Sequence, residues 1–531
     1  MKELRNALGP VPQKEPIPGR EADMARNNAG GFAFLVDKWT QLDRFLILGT
    51  AGGTYYVGER ELTLENAECV KECVAEDGLR AVERIVDISD SGRAPKNDQA
   101  IFALAMCASY GDVETKKAAL EALPKVCRIG THLLMFTAFL KEMRGFGRSV
   151  KRALGRWYTS KEPNKLAEQV MKYRNRHGWT HRDILRLAHP RGPSIGAEVN
   201  DVFNWVAQPD EHEVGESTPA ALAAFLELQT ASDSAQAARL IAENPALSHE
   251  MVPTHLKDAR VWQAILERGL GMTALIRNLP TMTRVGLLKP MSRHAQLAAE
   301  RLADQDALKR QRVHPINLLI AYRTYAAGKS IRGTATWEPT QEIAEALQAA
   351  FYAAYNSLET LPKRVYVGVD VSGSMGHAHL CGVPGFSPRV AAAALAVCYA
   401  RQFERAAVFG FSDRMKDLQI GAKTSIETAM ERADAMDFGR TDCAMPMIHA
   451  TAENIEADAF VILTDNETWA GDVHPAEALR DYRRRTGIGA KLLVCGMASN
   501  GFSIADPQDG GMLDVVGFDT AVPRLMDDFL S

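Results

Sequence analysis

The sequence predicts two units in series: an all-α array of stacked helix pairs over residues 1–361, then a doubly wound α/β domain over residues 362–531. Three observations carry this. Apolar residues recur at three-to-four spacing through the first two thirds of the chain, in one short segment after another. At about Leu361 the rhythm changes to Val-rich strands alternating with helices. Those strands are apolar almost throughout, as a mostly parallel sheet covered on both faces requires.

The first stretch, MKELRNALGPVPQKEPIPGREADMARNNAGG, is rich in proline, glycine and charge and lacks the apolar core of a signal peptide. It predicts an extended arm. Helices follow in ENAECVKECVAEDG, GLRAVERIVDI, QAIFALAMCASYG, VETKKAALEALPKVCRIG and HLLMFTAFLKEMRG, each closed by a Gly or polar break. The pattern resumes in AALAAFLELQTA, SAQAARLIAENP, VWQAILERGL, HAQLAAERLA, INLLIAYRTYAAG and EIAEALQAAFYAAYNSL. No exact repeat stands out, so the array is a divergent one. Beyond Leu361, RVYVGVDVS, AAVFGFS, AFVILTD and KLLVCGMA read as strands. The helices between and after them are VAAAALAVCYARQF, SIETAMERADAM, CAMPMIHATAEN, PAEALRDYRRRTG and VPRLMDDFL.

With 46% hydrophobic and 24% charged residues, the composition is that of a soluble globular protein, and no run of eighteen apolar residues predicts a membrane span. The eight cysteines include no CxxC, which predicts reduced thiols and a cytoplasmic protein. Cys69 and Cys73, four apart in a helical pattern, read as packing residues. Charge is unevenly spread. Residues 362–531 hold 16 Lys/Arg against 23 Asp/Glu, whereas residues 141–191 hold 14 Lys/Arg against 4 Asp/Glu. One strongly basic zone in a mildly acidic protein predicts a polyanion bound at a defined place.

Within that zone GRSVKRALGRWYTS sets Arg148, Arg152 and Arg156 on one helical face with Lys151 beside them. NKLAEQVMKYRNRHGW buries Leu166, Val170 and Tyr173 and turns Lys165, Lys172 and Arg176 outward, with Arg174 between. WTHRDILRLAHPRG adds Arg182, Arg186 and His189, with Thr180 as N-cap and Asp183 three residues on. Cations so arranged neutralise phosphates, and His181, Trp179 and Tyr173 are positioned to stack on bases or reach their edges, which suits RNA. A solvated helical surface is the plainer alternative.

The stretch VYVGVDVSGSMG ends a strand in Asp370, Ser372 and Ser374. Asp-x-Ser-x-Ser alone is a weak signal, and capping of the next helix would also explain it. Its context adds Thr441 from DFGRTDCAMP and Asp465 from VILTDNET, and strand ends are where ligands sit in such folds. Two carboxylates and three hydroxyls form a hard oxygen set for a divalent cation, magnesium or manganese. Gly373 and Gly376 let the loop wrap the ion closely. His377, His379 and Cys381 in HAHLCG lack a second ligand pair and read as a solvated loop.

These five residues resemble the metal-ion-dependent adhesion site of the von Willebrand factor A domain. The family's aspartate, two serines, second-loop threonine and third-loop aspartate map onto Asp370, Ser372, Ser374, Thr441 and Asp465. The family's main use of the ion is adhesion, often completed by a partner carboxylate.

Longer strings carry a second resemblance. GGFAFLVDKWTQLDRFLILGTAGGTYYVGERELTLENAE, VCRIGTHL, KYRNRHGWTHRDILRLAHP, HPINLLIAYRTY, TDNETWAGDVHPAEALR and VCGMASNGFSIADPQDGGMLDVVGFDT are similar to the Ro autoantigen family of ribonucleoproteins. The match runs over nearly the whole chain. It implies a HEAT-like helical-repeat ring, the TROVE domain, joined by a von Willebrand factor A-like domain. It further implies a monomeric ring that binds Y RNA on its outer surface and the single-stranded 3′ ends of misfolded or unprocessed RNA in its hole. A link to polynucleotide phosphorylase, a 3′-to-5′ exoribonuclease, is implied for bacterial members. HGWTHRDILRLAHP matches the family's Y RNA-contacting region, so His181 carries over best, with Lys172, Arg174 and Arg176 on or beside matched positions. The resulting expectation is a non-catalytic RNA-binding protein acting in RNA quality control. Its rivals are a metal-dependent adhesion scaffold without RNA and a magnesium-dependent nuclease, which lacks an evident general base and second metal.

Overall fold

The structure is a computed structural model that describes residues 10–49, 62–64, 67–190, 195–331, 333–355, 361–377, 386–436 and 439–530. The arm begins it and carries two short strands, β1 (Met24–Arg26) and β2 (Phe32–Leu35), paired antiparallel.

The helical array opens at Lys38–Leu48, where the Asp37 carboxylate accepts from the backbone N–H groups of Trp39 and Thr40. Glu68–Ser91, Asp98–Tyr110, Val113–Val126 and Gly130–Met143 follow, and each packs on the next one or two in sequence, as in a solenoid. The pattern predicts two helices between Glu65 and Ile88, whereas the structure has one helix kinked at Asp77 (φ −150°, ψ 87°). Asp77 Oδ1 accepts from Arg80 N at 3.0 Å and so restarts the helix. Cys73 is fully buried and burial pushes its thiol up to about 12, which fits packing.

Through the basic zone the chain forms Arg148–Thr159, Pro163–Lys172 and His181–Ala188. The second helix stops earlier than its pattern predicts. Residues 173–180 instead turn back as a hairpin of β3 (Asn175–Arg176) and β4 (Trp179–Thr180). His177 and Gly178 both take positive φ, 51° and 74°, the two-residue turn that a right-twisted hairpin favours. The helices at Ala197–Ala207, Met272–Arg284 and Gln305–Arg310, like Lys38–Leu48, have no counterpart in the sequence pattern; Pro280 lies inside one of them. The array ends at Pro315–Ala326 and Gln341–Tyr355.

The second domain holds a six-stranded sheet. Its strands are β5 (Leu361–Asp370), β6 (Phe403–Phe411), β7 (Met415–Lys416), β8 (Ala459–Thr464), β9 (Lys491–Gly496) and, beyond the short β10 (Phe502–Ser503), β11 (Met512–Val516). The order is β11-β9-β8-β5-β6-β7, all parallel except the edge strand β7. Strand alternation splits the core in two. Val365, Val367, Val369, Val461 and Leu463 face the core shared with the helix Pro388–Gln402 and the helical array. Tyr366, Phe460, Ile462, Leu492 and Val494 face the other side.

That second core also contains Ile17, Met24 and Phe34 of the arm, and β2 pairs with β10. Residues 10–35, placed with the first unit by the sequence rhythm, therefore pack with the second. The two units are joined elsewhere by Arg44, fully buried in the first helix, which donates to Asp514 Oδ2 and the Asn500 carbonyl, both at 2.6 Å. His314 meets the Phe518 carbonyl at 2.8 Å.

Candidate metal centre and nucleic-acid interface

Sheet order places β5 between β6 and β8, so the sheet reverses direction of growth beside β5. The crevice outside the carboxyl ends of β5 and β8 is the expected ligand position of such a sheet. Asp370 is the last residue of β5, and Asp465 is the first beyond β8. Asp370, Ser372, Thr441 and Asp465 are each at most 1% exposed, and Ser374 is 3% exposed.

Three loops meet there. Ser372 N donates to Asp370 Oδ1 at 2.9 Å, and the hydroxyls of Ser372 and Ser374 lie 3.1 Å apart. The Thr464 hydroxyl donates to Asp370 Oδ2 at 2.7 Å, tying β8 to β5. Gly373 N donates to the Gly439 carbonyl, and the Thr441 carbonyl accepts from Trp469 N and Ala470 N at 3.0 Å. The first loop is thereby joined to the second, and the second to the third.

Burial pushes the Asp370 carboxyl up, and burial with the neighbouring charges of Asp370 and Glu467 pushes Asp465 well above the usual range. Asp465 Oδ1 accepts from Glu467 N, while Oδ2 is buried with no hydrogen-bond partner. A buried, unpartnered carboxylate oxygen beside a second carboxylate and two hydroxyls fits a divalent cation, which would supply the missing ligand interaction. Asp370, Ser372, Ser374, Thr441 and Asp465 would hold it, some through water. Among the described residues no group of three or more His, Cys, Asp or Glu is placed to hold a metal ion. His379 and Cys381 lie outside the described residues.

The basic residues divide between two clefts. Lys151, Arg152, Arg156 and His189 line one of ≈ 730 Å³. Lys116 and Lys117, outside the basic zone of the sequence, line it too, because Val113–Val126 packs against Arg148–Thr159. Arg148 stands exposed at the start of the latter helix, and Arg182 and Arg186 are exposed on His181–Ala188. Lys172, Arg174 and Arg176 line a second cleft of ≈ 390 Å³ near Glu250. Lys172 Nζ is 3.5 Å from Glu250 Oε1, and the Arg174 guanidinium lies over the Phe225 ring at 5.1 Å. Burial opposes the Glu250 charge, but the hydrogen bond with His249 and the charge of Lys172 hold its carboxyl down to about 2.

His181 is not on this surface. It is 2% exposed, its Nδ1 is 2.8 Å from the Tyr158 hydroxyl, and its ring stacks on Trp157. Burial lowers it to about 4. The Thr180–Asp183 capping box forms as its spacing predicts, and it turns the first helical residue, His181, inward. The expected contact of this imidazole with RNA is therefore replaced by a packing role. Trp179 is half-buried, edge-on to Phe146 at 5.4 Å.

Among the described residues no helix is long and apolar enough to cross a membrane. Residues 364–530 match the Ro60 vWA domain, and residues 25–217 and 206–324 match the TROVE domain. The chain is 40% identical to the RNA-binding protein RO60 of Deinococcus radiodurans, over 100% of this chain and 99% of that protein. It is 34% identical to the RNA-binding protein RO60 of Caenorhabditis elegans, over 95% and 90% respectively. The crystal structure of the Deinococcus radiodurans RO (RSR) protein superposes with a TM-score of 0.69 at 39% identity, covering 93% of this chain and 99% of that one. A TROVE domain followed by a Ro60 vWA domain, with such identity over the full length, shows that the chain belongs to the Ro60 family.

Proposed function

We propose that this protein is a non-catalytic RNA-binding ring. Its basic outer surface holds a structured small RNA of the Y RNA class, and its central hole takes single-stranded 3′ ends of misfolded or unprocessed RNA. The observation that carries this reading is the cleft lined by Lys116, Lys117, Lys151, Arg152 and Arg156. Five cations converge there from two helices against one lining acid, Glu121, and none forms an ion pair with a carboxylate among the described residues. Unpaired cations lining a concave surface are suited to phosphates, because binding releases the counterions of both. The names of the relatives, RNA-binding proteins, agree with it.

In this reading the protein works as a monomer in the cytoplasm, in RNA quality control, and can deliver RNA to a 3′-to-5′ exoribonuclease such as polynucleotide phosphorylase. The cation, magnesium or manganese, serves adhesion or the stability of the A domain, not hydrolysis. The unpartnered Asp465 Oδ2 favours a bound ion as part of this function. Sequencing the RNA that co-purifies with the full chain tests the proposal. A discrete small RNA, absent when Lys117, Arg152 and Arg156 are all changed to Ala, is expected. RNA-free protein that shifts no structured RNA at low salt would favour a protein-adhesion scaffold. Magnesium-dependent turnover of labelled RNA that Asp370→Ala abolishes would make it a nuclease.

A further inference from the structure

Gln13 is fully buried, and both polar atoms of its amide are used. Its Nε2 donates to Asp442 Oδ1 at 2.7 Å and to the Val473 carbonyl at 2.8 Å. Its Oε1 accepts from the Thr468 hydroxyl at 2.6 Å and from Gly471 N at 3.3 Å. Asp442 follows Thr441, and Thr468 lies three residues beyond Asp465. One amide from the arm thus spans the two loops that bring Thr441 and Asp465 to the crevice.

The neighbouring arm residues reinforce the same loops. Asn27 Nδ2 donates to the Thr468 carbonyl at 2.7 Å, and Asn28 Nδ2 donates to Glu467 Oε1 at 2.6 Å. At Gly31 the arm runs so close that a Cβ would collide with the Thr468 carbonyl oxygen and Trp469. A separate anchor engages neither ligand loop: both Arg20 Nη atoms meet Asp506 at 2.6 Å.

A cation held by three loops loses affinity when those loops must first be ordered. From this geometry we infer that Gln13 is a positioning residue for the cation site, holding the Thr441 and Asp465 loops in register before the ion arrives. The inference rests on the cation site proposed above. Coupling of this kind is reciprocal, so the ion in turn holds the arm down.

Manganese titration of the full chain, with free Mn²⁺ read by electron paramagnetic resonance, tests it. Gln13→Ala should weaken binding about ten-fold, the loss of a buried bridging amide. Asn28→Ala, a milder change at the edge of the arm, should weaken it about three-fold and serves if the first variant does not fold. Arg20→Ala removes an anchor that touches neither ligand loop and should weaken Mn²⁺ binding less than either variant does. In the unmodified chain, Mn²⁺ should slow trypsin cleavage within the arm. Unchanged affinity in both Gln13→Ala and Asn28→Ala, or equal weakening by Arg20→Ala, would overturn the positioning role while leaving the cation site intact. No Mn²⁺ binding by the unmodified chain would remove the cation site and this role together.

Discussion

Arg312 Nη2 lies 2.6 Å from Asp90 Oδ1, although 222 positions separate the two residues. Asn317 Nδ2 reaches the Pro95 carbonyl beside them. The last helices of the array therefore meet the first, and the A domain seals the same junction through Arg93 and Asp519, 2.6 Å apart.

The two ion pairs at this junction should differ in weight. Arg312 and Asp90 are 34% and 56% exposed, whereas Arg93 and Asp519 are 13% and 4% exposed. Arg312→Ala should cost about 1 kcal/mol or less, as an exposed pair does. Arg93→Ala leaves Asp519 buried without its cation and should cost about 3 kcal/mol. Thermal melting of the two variants at neutral pH checks the order.

Acid should open the same junction. His314 is fully buried, with Nε2 against the Phe518 carbonyl and Nδ1 accepting from Ile316 N at 3.1 Å, so the ring is neutral with its proton on Nε2. Burial lowers its pKa to about 4. The folded state then binds fewer protons than the unfolded state below the ordinary histidine range. Its contribution is intact above about pH 6.5 and is lost as the pH falls toward about 4, at up to about 1.4 kcal/mol per unit. His132 and His181 are lowered to about 4 in the same way and steepen the acid limb. His314→Gln keeps a donor for the Phe518 carbonyl but does not titrate. Its melting temperature should fall less steeply than that of the unmodified chain between pH 7.5 and 5.0.

Most of the helix and strand pattern, and the five residues of the proposed cation site, were legible because each is set locally. Asp370, Ser372 and Ser374 are set by one loop, and Thr441 and Asp465 by strand and helix ends that the apolar pattern marks. His181 was not legible in the same way. Its fate depends on Tyr158 and Trp157, 23 and 24 residues away, which close over it. Lys116 and Lys117 sit in a helix of ordinary composition and join the basic cleft only through packing against Arg148–Thr159. Gln13 lies in a stretch whose proline and charge predict only an extended arm, yet the side chain is enclosed by loops more than 400 residues away.

The two basic clefts should respond differently to mutation. Lys117, Arg152 and Arg156 have no ion-pair partner among the described residues, whereas Lys172 already interacts with Glu250. Changing the first three to Ala should reduce the salt slope of small-RNA binding by about 0.7–0.9 for each phosphate that is no longer neutralised. Lys172→Ala should have a smaller effect, because Glu250 already offsets part of that charge. Binding isotherms at several salt concentrations separate the two. Equal slopes for the triple variant and the unmodified chain would place the RNA elsewhere.

Asp370→Asn should separate the cost of the proposed cation site from its benefit. Without an ion, burial and mutual repulsion make the Asp370 and Asp465 charges unfavourable. The amide is nearly the same shape and still accepts from Ser372 N, and the Thr464 hydroxyl can rotate to accept from it. The ion-free melting temperature of Asp370→Asn should therefore equal or exceed that of the unmodified chain. With Mn²⁺ at about 100 times its dissociation constant, the unmodified chain should gain about 2.7 kcal/mol, and the variant almost none. The variant then becomes the less stable protein only when the ion is present. A variant that still gains stability from Mn²⁺ would show that the ion binds without Asp370 and that the crevice between β5 and β8 is not its site.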